Sequence, residues 1–159
     1  MIKLFVPLGT QKFPFERIIL ALNKLVEKEV YKKEEILMQS TLLPAEPAFT
    51  HVDLIAQEDF NHYMKEAEIV ITHSGVNSII SAMNMNKPLI ICPRFKRYGE
   101  HVDDHQDEIA SLMQEKYDIL VCRDMNDLEQ LIKMAPNHSY KPWISNKTDL
   151  LNAIKAIII

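Results

Sequence analysis

IVITHSGVNSIISAMNMNKPLIICPRFKRYGEHVDDHQDEIA, residues 69–110, reads as a buried strand, a polar loop, a helix and a second buried strand. A loop crowded with His, Asp and Gln follows, and then another helix starts. The strands Glu68–Thr72 and Pro88–Cys92 carry continuous β-branched runs, as a sheet covered on both faces requires. In an open parallel sheet, successive strand-to-helix loops lie side by side at the carboxyl ends of the strands, where ligands bind. Helix amino termini there offer unpaired N–H groups and the positive end of the helix dipole, which suit a phosphate. The stretch therefore predicts a site for a phosphorylated small molecule, a nucleotide sugar foremost.

Working outward, the same alternation continues. Ile2–Pro7 is a short apolar strand ending in the loop Leu8-Gly9-Thr10-Gln11. Phe15 to Val30 carries Phe15, Ile18, Ile19, Leu22, Leu25 and Val26 at helical spacing. Glu35–Gln39 reads as a strand, the segment 40–49 with Pro44 and Pro47 as a loop, and His51–Ala56 as a third strand. Helices are predicted over Glu58–Ala67, Val76–Met85, His101–Lys116 and Met125–Met134, the last capped by Asp124 or Asn126. Strands are predicted over Glu68–Thr72, Pro88–Cys92 and Asp118–Cys122. Residues 137–146, with Pro142 and the only Trp, Trp143, read as irregular. Lys147–Ile159 reads as a closing helix with apolar Leu150, Leu151, Ile154, Ile157 and Ile158. Strands alternating with helices predict one α/β domain over residues 1–159: a Rossmann-like, doubly wound and mostly parallel sheet.

The bulk composition narrows the function classes. With 159 residues the chain is the size of one domain with a real core. A net charge of −4 argues against a nucleic-acid binder, which would present a basic surface. No apolar run approaches the ~20 residues of a membrane span, and no signal peptide is read, so the sequence predicts a cytosolic protein. Cys92 and Cys122 each sit in or beside an apolar strand and read as buried free thiols.

Four clusters carry candidate chemistry. Gly9-Thr10 after the first strand reads either as the first turn of a nucleotide-binding unit or as a plain tight turn, since the full G-x-G-x-x-G is missing. In Thr72-His73-Ser74-Gly75-Val76-Asn77-Ser78, Gly75 removes a side chain where a ligand could meet the backbone, and Ser78 can donate a hydroxyl or cap the helix. His73 either contacts the ligand or satisfies loop carbonyls. Arg94, nearest its strand end, is the best placed of the cations Arg94, Lys96 and Arg97 to meet a diphosphate; the other two read as solvated. Asp103-Asp104-His105-Gln106 admits three readings: a divalent metal site, helix-start capping, or hydrogen-bond partners for sugar hydroxyls.

The strings THSGVNSI, KPLIICPR and GEHVDDHQDEIA, with the opening LFVPLGTQKFPFERII, resemble the carboxyl-terminal domain of family 28 glycosyltransferases. Within that family the chain looks like the small soluble subunit of two-component enzymes of bacterial exopolysaccharide and capsule synthesis. These are similar to the soluble subunit of the eukaryotic transferase that adds the second N-acetylglucosamine to the dolichol-linked oligosaccharide. The resemblance implies the donor-binding half of a GT-B fold, a UDP-sugar donor and no catalytic metal or other cofactor. It places Ser74, Gly75, Asn77 and Ser78 at the diphosphate, Arg94 near the uracil or phosphates, and Asp104, His105 and Gln106 at the donor sugar. Gly9 and Thr10 flank the same cleft, and His73 is the candidate general base.

The resemblance further implies a membrane-anchored partner subunit that binds a polyprenyl-diphosphate-linked saccharide, holding the chain at the inner face of the cell membrane. The apolar tail 147–159 is either a docking element for that partner or a helix packed on this domain's own sheet. Three positions depart from the family pattern: Asn77 stands where many relatives have a second glycine. Ser81 stands where a single-chain relative has a ribose-binding Glu. Asn86 replaces a glycine as a left-handed helix cap.

Overall fold

The computed structural model describes residues 1–141 and 147–158, with Lys147 described by its backbone alone. Pro142, Trp143 and Ile159 of the readings above lie outside the described residues. Six strands form one parallel sheet: β1 (Leu4–Pro7), β2 (Ile36–Gln39), β3 (Thr50–Val52), β4 (Ile69–Thr72), β5 (Leu89–Ile91) and β6 (Leu120–Val121), in the spatial order β3-β2-β1-β4-β5-β6. The predicted Rossmann-like sheet is therefore the observed one, and it is parallel throughout.

Period-two alternation along the strands builds two cores. Leu4, Val6, Ile36, Met38, Ile69, Ile71 and Ile90 point to one face, where they meet Ile18, Ile19, Leu22 and Leu25 of α1 (Glu16–Glu27) and Leu128 and Ile132 of α5 (Leu128–Met134). Phe5, Leu37, Val70, Leu89 and Ile91 point to the other. There they meet α2 (Gln57–Glu66), α3 (Val76–Asn84), α4 (His105–Tyr117) and α6 (Lys147–Ile158). Each fully buried Leu, Ile or Phe contributes roughly 1.5–3 kcal/mol.

The β2–β3 connection has no helix; Pro44 and Pro47 hold it irregular, and Phe49 drops into the α1-side core instead. Asn86 has φ of 53°, the expected left-handed cap. The predicted helix over Met125–Met134 opens as a 3-10 turn, Met125–Asp127, capped by Asp124, whose carboxylate accepts from Asn126 N–H at 2.9 Å, and continues as α5. Both cysteines are buried free thiols.

One expectation changes. Helix α4 starts at His105, not His101, because the preceding side chains bond to the backbone in a non-helical arrangement. Asp103 Oδ1 accepts from His105 N–H at 3.1 Å, Asp104 Oδ1 accepts from Lys96 N–H at 2.9 Å, and Gly99 turns the chain at φ 70°. In the tail, Leu150 and Ile154 of α6 are buried in the core of their own domain, with Leu151 and Ile157 packed beside them. The inner face of that helix is thus covered by its own domain, while Ile158, among the described residues, is well exposed. Among the described residues, no helix is long and apolar enough to cross a membrane.

Candidate functional site

The strand order reverses between β1 and β4, and the pairing of those strands runs through Leu4↔Ile69 and Phe5↔Val70. Beyond it the chains separate toward their carboxyl ends, leaving a crevice where such sheets bind ligands. Thr72, at the end of β4, reaches across with its hydroxyl donating to Pro7 O at 2.8 Å, which fixes the two strand ends relative to each other. At this point lies a cleft of about 570 Å³. Its walls are Gly9 and Thr10 after β1, Gln39 at the end of β2, Leu54, Ile55, Gln57 and Phe60 from the β3–α2 corner, and the face of α3 that runs through Asn77, Ser78, Ser81 and Asn84.

Each wall has a local cause. Gly9 takes φ of 79°, a conformation that favours glycine, so the turn after β1 can fold back over the cleft. Gln39 is buried at the end of an apolar strand and pins that turn: its Oε1 accepts from Gly9 N–H at 3.2 Å, while its Nε2 donates to Gly9 O at 3.0 Å and Asp53 O at 2.9 Å. One side chain at the end of β2 thereby joins the β1–α1 and β3–α2 connections. Helix α3 begins at Gly75 with no side-chain cap, so its first-turn N–H groups keep their dipole for an anion. Among the described lining residues none is ionisable.

The structure divides the predicted site residues into two groups. Gly9, Thr10, Asn77 and Ser78 come together in the cleft. Ser74, Arg94 and Gln106 lie beneath it and are buried. Arg94, expected at the uracil or phosphates, is only 1% exposed. Its Nη1 donates to Phe13 O at 2.9 Å, its Nη2 donates to Leu8 O at 3.0 Å, and its guanidinium lies 5.0 Å from the Phe15 ring. In this arrangement Arg94 is a clamp for the β1–α1 loop. Burial lowers its pKa to about 10.

Gln106, expected at the donor sugar, is likewise turned inward. Its Oε1 accepts from Arg94 N–H at 3.0 Å and Ser74 N–H at 3.4 Å, its Nε2 lies 3.1 Å from His73 Nδ1, and its backbone O accepts the Ser74 hydroxyl at 2.6 Å. It ties the loops after β4 and β5 to α4. The Ser74 hydroxyl is spent on Gln106, and Ser74 is not among the residues that line the cleft. Of the remaining pair, Asp104 holds Lys96 N–H, and the imidazole Nδ1 of His105 stands 3.4 Å from Glu108; neither lines the cleft. Among the described residues, no three His, Cys, Asp or Glu side chains converge to hold a metal ion.

His73 stands 8% exposed between the two loops, with Gly9 on one side and Gly75 on the other. A Cβ at Gly75 would lie 2.5 Å from His73 Nε2, and one at Gly9 3.0 Å, so both glycines are needed for the ring to fit. Burial, with the charge of Arg94 adding, pushes its pKa down to about 3. So low a value is poorly matched to taking a proton near neutral pH in this arrangement of the chain.

The basic loop after β5 is folded down by a pair the sequence reading missed. Arg17 Nε and Nη2 meet Glu100 Oε2 and Oε1 at 2.8 and 2.9 Å, and the Arg17 guanidinium lies 4.3 Å from the Tyr98 ring. Glu100 is buried and also accepts from Phe95 N–H at 3.0 Å. A separation of 83 residues leaves no local signal for this contact. Gln39 was open to discovery, as a polar residue closing an apolar strand at the carboxyl end.

A model of the glycosyltransferase family 28 C-terminal domain matches residues 4–155. The chain is 29% identical over 94 residues to the UDP-N-acetylglucosamine transferase subunit ALG13 of Candida albicans, covering 59% of this chain and 30% of that protein. The match thus spans less than a third of that relative's length. The solution NMR structure of ALG13 superposes with a TM-score of 0.61 at 15% identity, covering 99% of this chain and 98% of that one. The spinosyn forosaminyltransferase SpnP superposes with a TM-score of 0.60 at 13% identity, covering 98% of this chain and 39% of that one. At such identities the two structures speak for a shared fold alone.

Proposed function

Because the chain belongs to the glycosyltransferase family 28 C-terminal domain family, we propose that it is the UDP-sugar-binding, catalytic subunit of a heteromeric hexosyltransferase. Its acceptor is a polyprenyl-diphosphate-linked saccharide of exopolysaccharide or capsule synthesis, met at the inner face of the cell membrane. The observation that carries the reading is the cleft at the β1/β4 switch, bounded by a glycine turn and by the uncapped amino end of α3. Its walls match what a nucleotide sugar asks for: amide N–H groups and the Ser78 hydroxyl for the diphosphate, and polar Gln57 with apolar Phe60 for the nucleoside.

The transfer is a direct displacement at the anomeric carbon, with the dipole of α3 and the surrounding amides stabilising the leaving UDP. No metal is invoked. Among the described residues that line the cleft there is no acid, histidine or lysine. In this reading the general base and the acceptor site come from a membrane-anchored partner that closes over the carboxyl edge of the sheet. The curated relative's name makes UDP-N-acetylglucosamine the first donor to test. The same un-ionisable lining favours, as second reading, a subunit that binds the nucleotide sugar without chemistry of its own.

Isothermal titration calorimetry with UDP and a panel of UDP-sugars tests the first step, on the chain alone and co-purified with its membrane partner. Binding that is abolished by Ser78→Trp, which fills the cleft, is expected. No binding of UDP under either condition refutes both readings. Binding without transfer, even in the complex, leaves the non-catalytic subunit.

A further inference from the structure

The amide of Gln106 has only one orientation open to it. Its Oε1 faces two backbone N–H groups, those of Arg94 at 3.0 Å and Ser74 at 3.4 Å, and backbone N–H groups only donate. That atom must be the carbonyl oxygen, so the atom 3.1 Å from His73 Nδ1 is the NH₂ group, which donates. His73 Nδ1 must then accept and carry no proton. A neutral imidazole with a bare Nδ1 holds its proton on Nε2.

We infer that Gln106 is a positioning residue: it holds His73 in the Nε2–H tautomer and so presents a hydrogen-bond donor in the gap between Gly9 and Gly75. The gap is made by the two missing side chains, since a Cβ at either position would press on Nε2. Gly9 lines the cleft and Gly75 opens α3, so the donor stands beside the first-turn amides of that helix. Burial and the neighbouring Arg94 charge disfavour the charged ring, and a second proton on Nδ1 would face the Gln106 NH₂ head-on. The acceptor that suits such a donor is an anionic oxygen; that consequence rests on the reading of the cleft as a diphosphate site, whereas the tautomer does not.

The lock is read without ligand, by long-range ¹H–¹⁵N correlation of the His73 ring in the ¹⁵N-labelled full chain at neutral pH. The wild type is expected to show a protonated-type Nε2 and an unprotonated-type Nδ1. Gln106→Glu keeps an oxygen for the Arg94 and Ser74 N–H groups but puts an acceptor against Nδ1, so the Nδ1 signal should move to the protonated type. Gln106→Met removes the donor without adding an acceptor, and its His73 signals should move to values averaged over both tautomers. A wild-type Nδ1 that is protonated overturns the inference. So does a Gln106→Met chain with an unchanged Nε2–H tautomer, a result that stands if the Glu variant fails to fold. A chain that binds no UDP in calorimetry defeats the transferase reading and leaves the lock as it was.

Discussion

Gly75→Ala isolates the contact between the two loops of the site. The backbone at Gly75 has φ −79° and ψ 118°, which alanine adopts freely, so the substitution carries no conformational penalty of its own. Its cost is steric. The new Cβ would stand 2.5 Å from His73 Nε2 and 2.8 Å from Cε1, where ordinary contacts begin near 3.4 Å. His73 is buried and tied to Gln106, so the ring can yield only by stretching the 3.1 Å hydrogen bond at Nδ1. Overpacking of this kind costs about 1–3 kcal/mol and the lost hydrogen bond about 1 kcal/mol, so a destabilisation of about 3 kcal/mol is expected. For a domain of this size that lowers Tm by roughly 6–12 °C.

Urea denaturation at constant m-value measures it, in the wild type and in a His73→Ala background. With the imidazole gone the same Gly75→Ala change should fall to within about 0.5 kcal/mol of neutral. The coupling between the two positions is then about 2–3 kcal/mol. An equal cost in both backgrounds, or a cost below about 0.5 kcal/mol in the wild type, would show that the two loops are not packed through His73.

Arg94→Met leaves the carbonyls of Phe13 and Leu8 without their donors and should cost about 2–4 kcal/mol; Arg94→Lys should not restore it, because one ammonium does not span both, and denaturation of the three chains checks this. Stability should also fall with acid. Folding lowers the His73 pKa from 6.5 to about 3, so the unfolded chain binds the extra proton between those values. Stability is then complete above pH 6.5 and lost as pH falls toward 3, by at most about 5 kcal/mol. A His73→Gln variant followed by denaturation from pH 7 to pH 4 should lose that part of the slope. Ile154→Ala should cost about 2–4 kcal/mol, since the side chain is 3% exposed in the core under α6; a change of less than 0.5 kcal/mol, read by thermal unfolding at about that resolution, would return the helix to the docking reading.

The glycosyltransferase family and the α/β class were legible because both rest on local pattern. The runs Ile69–Thr72 and Leu89–Ile91 are buried on every residue and rich in β-branched side chains, as a sheet covered on both faces requires, and α1 repeats its apolar residues at helical spacing. Pro44 and Pro47 marked the missing helix, and Asn86 and Asp124 marked helix ends, each through a property of its own backbone or side chain. Likewise Gly9, Thr10, Asn77 and Ser78 were found because strand-to-helix loops of a parallel sheet must gather at one edge.

What the sequence could not determine is which way a side chain turns once it arrives there. Arg94, Gln106 and Ser74 gather at the same carboxyl edge of the sheet as the cleft residues, yet they are spent on Phe13, Leu8, His73 and one another. A buried guanidinium or amide must be satisfied by whatever carbonyls and N–H groups surround it, and those come from segments more than 30 or 80 residues away along the chain. His73 shows the same division. Its place after β4 is written locally, whereas its protonation and its fit between two glycines depend on three loops that only the folded sheet brings together. Local propensity and periodicity set the elements and their order; tertiary packing decided which polar residues face the cleft and which hold it in shape.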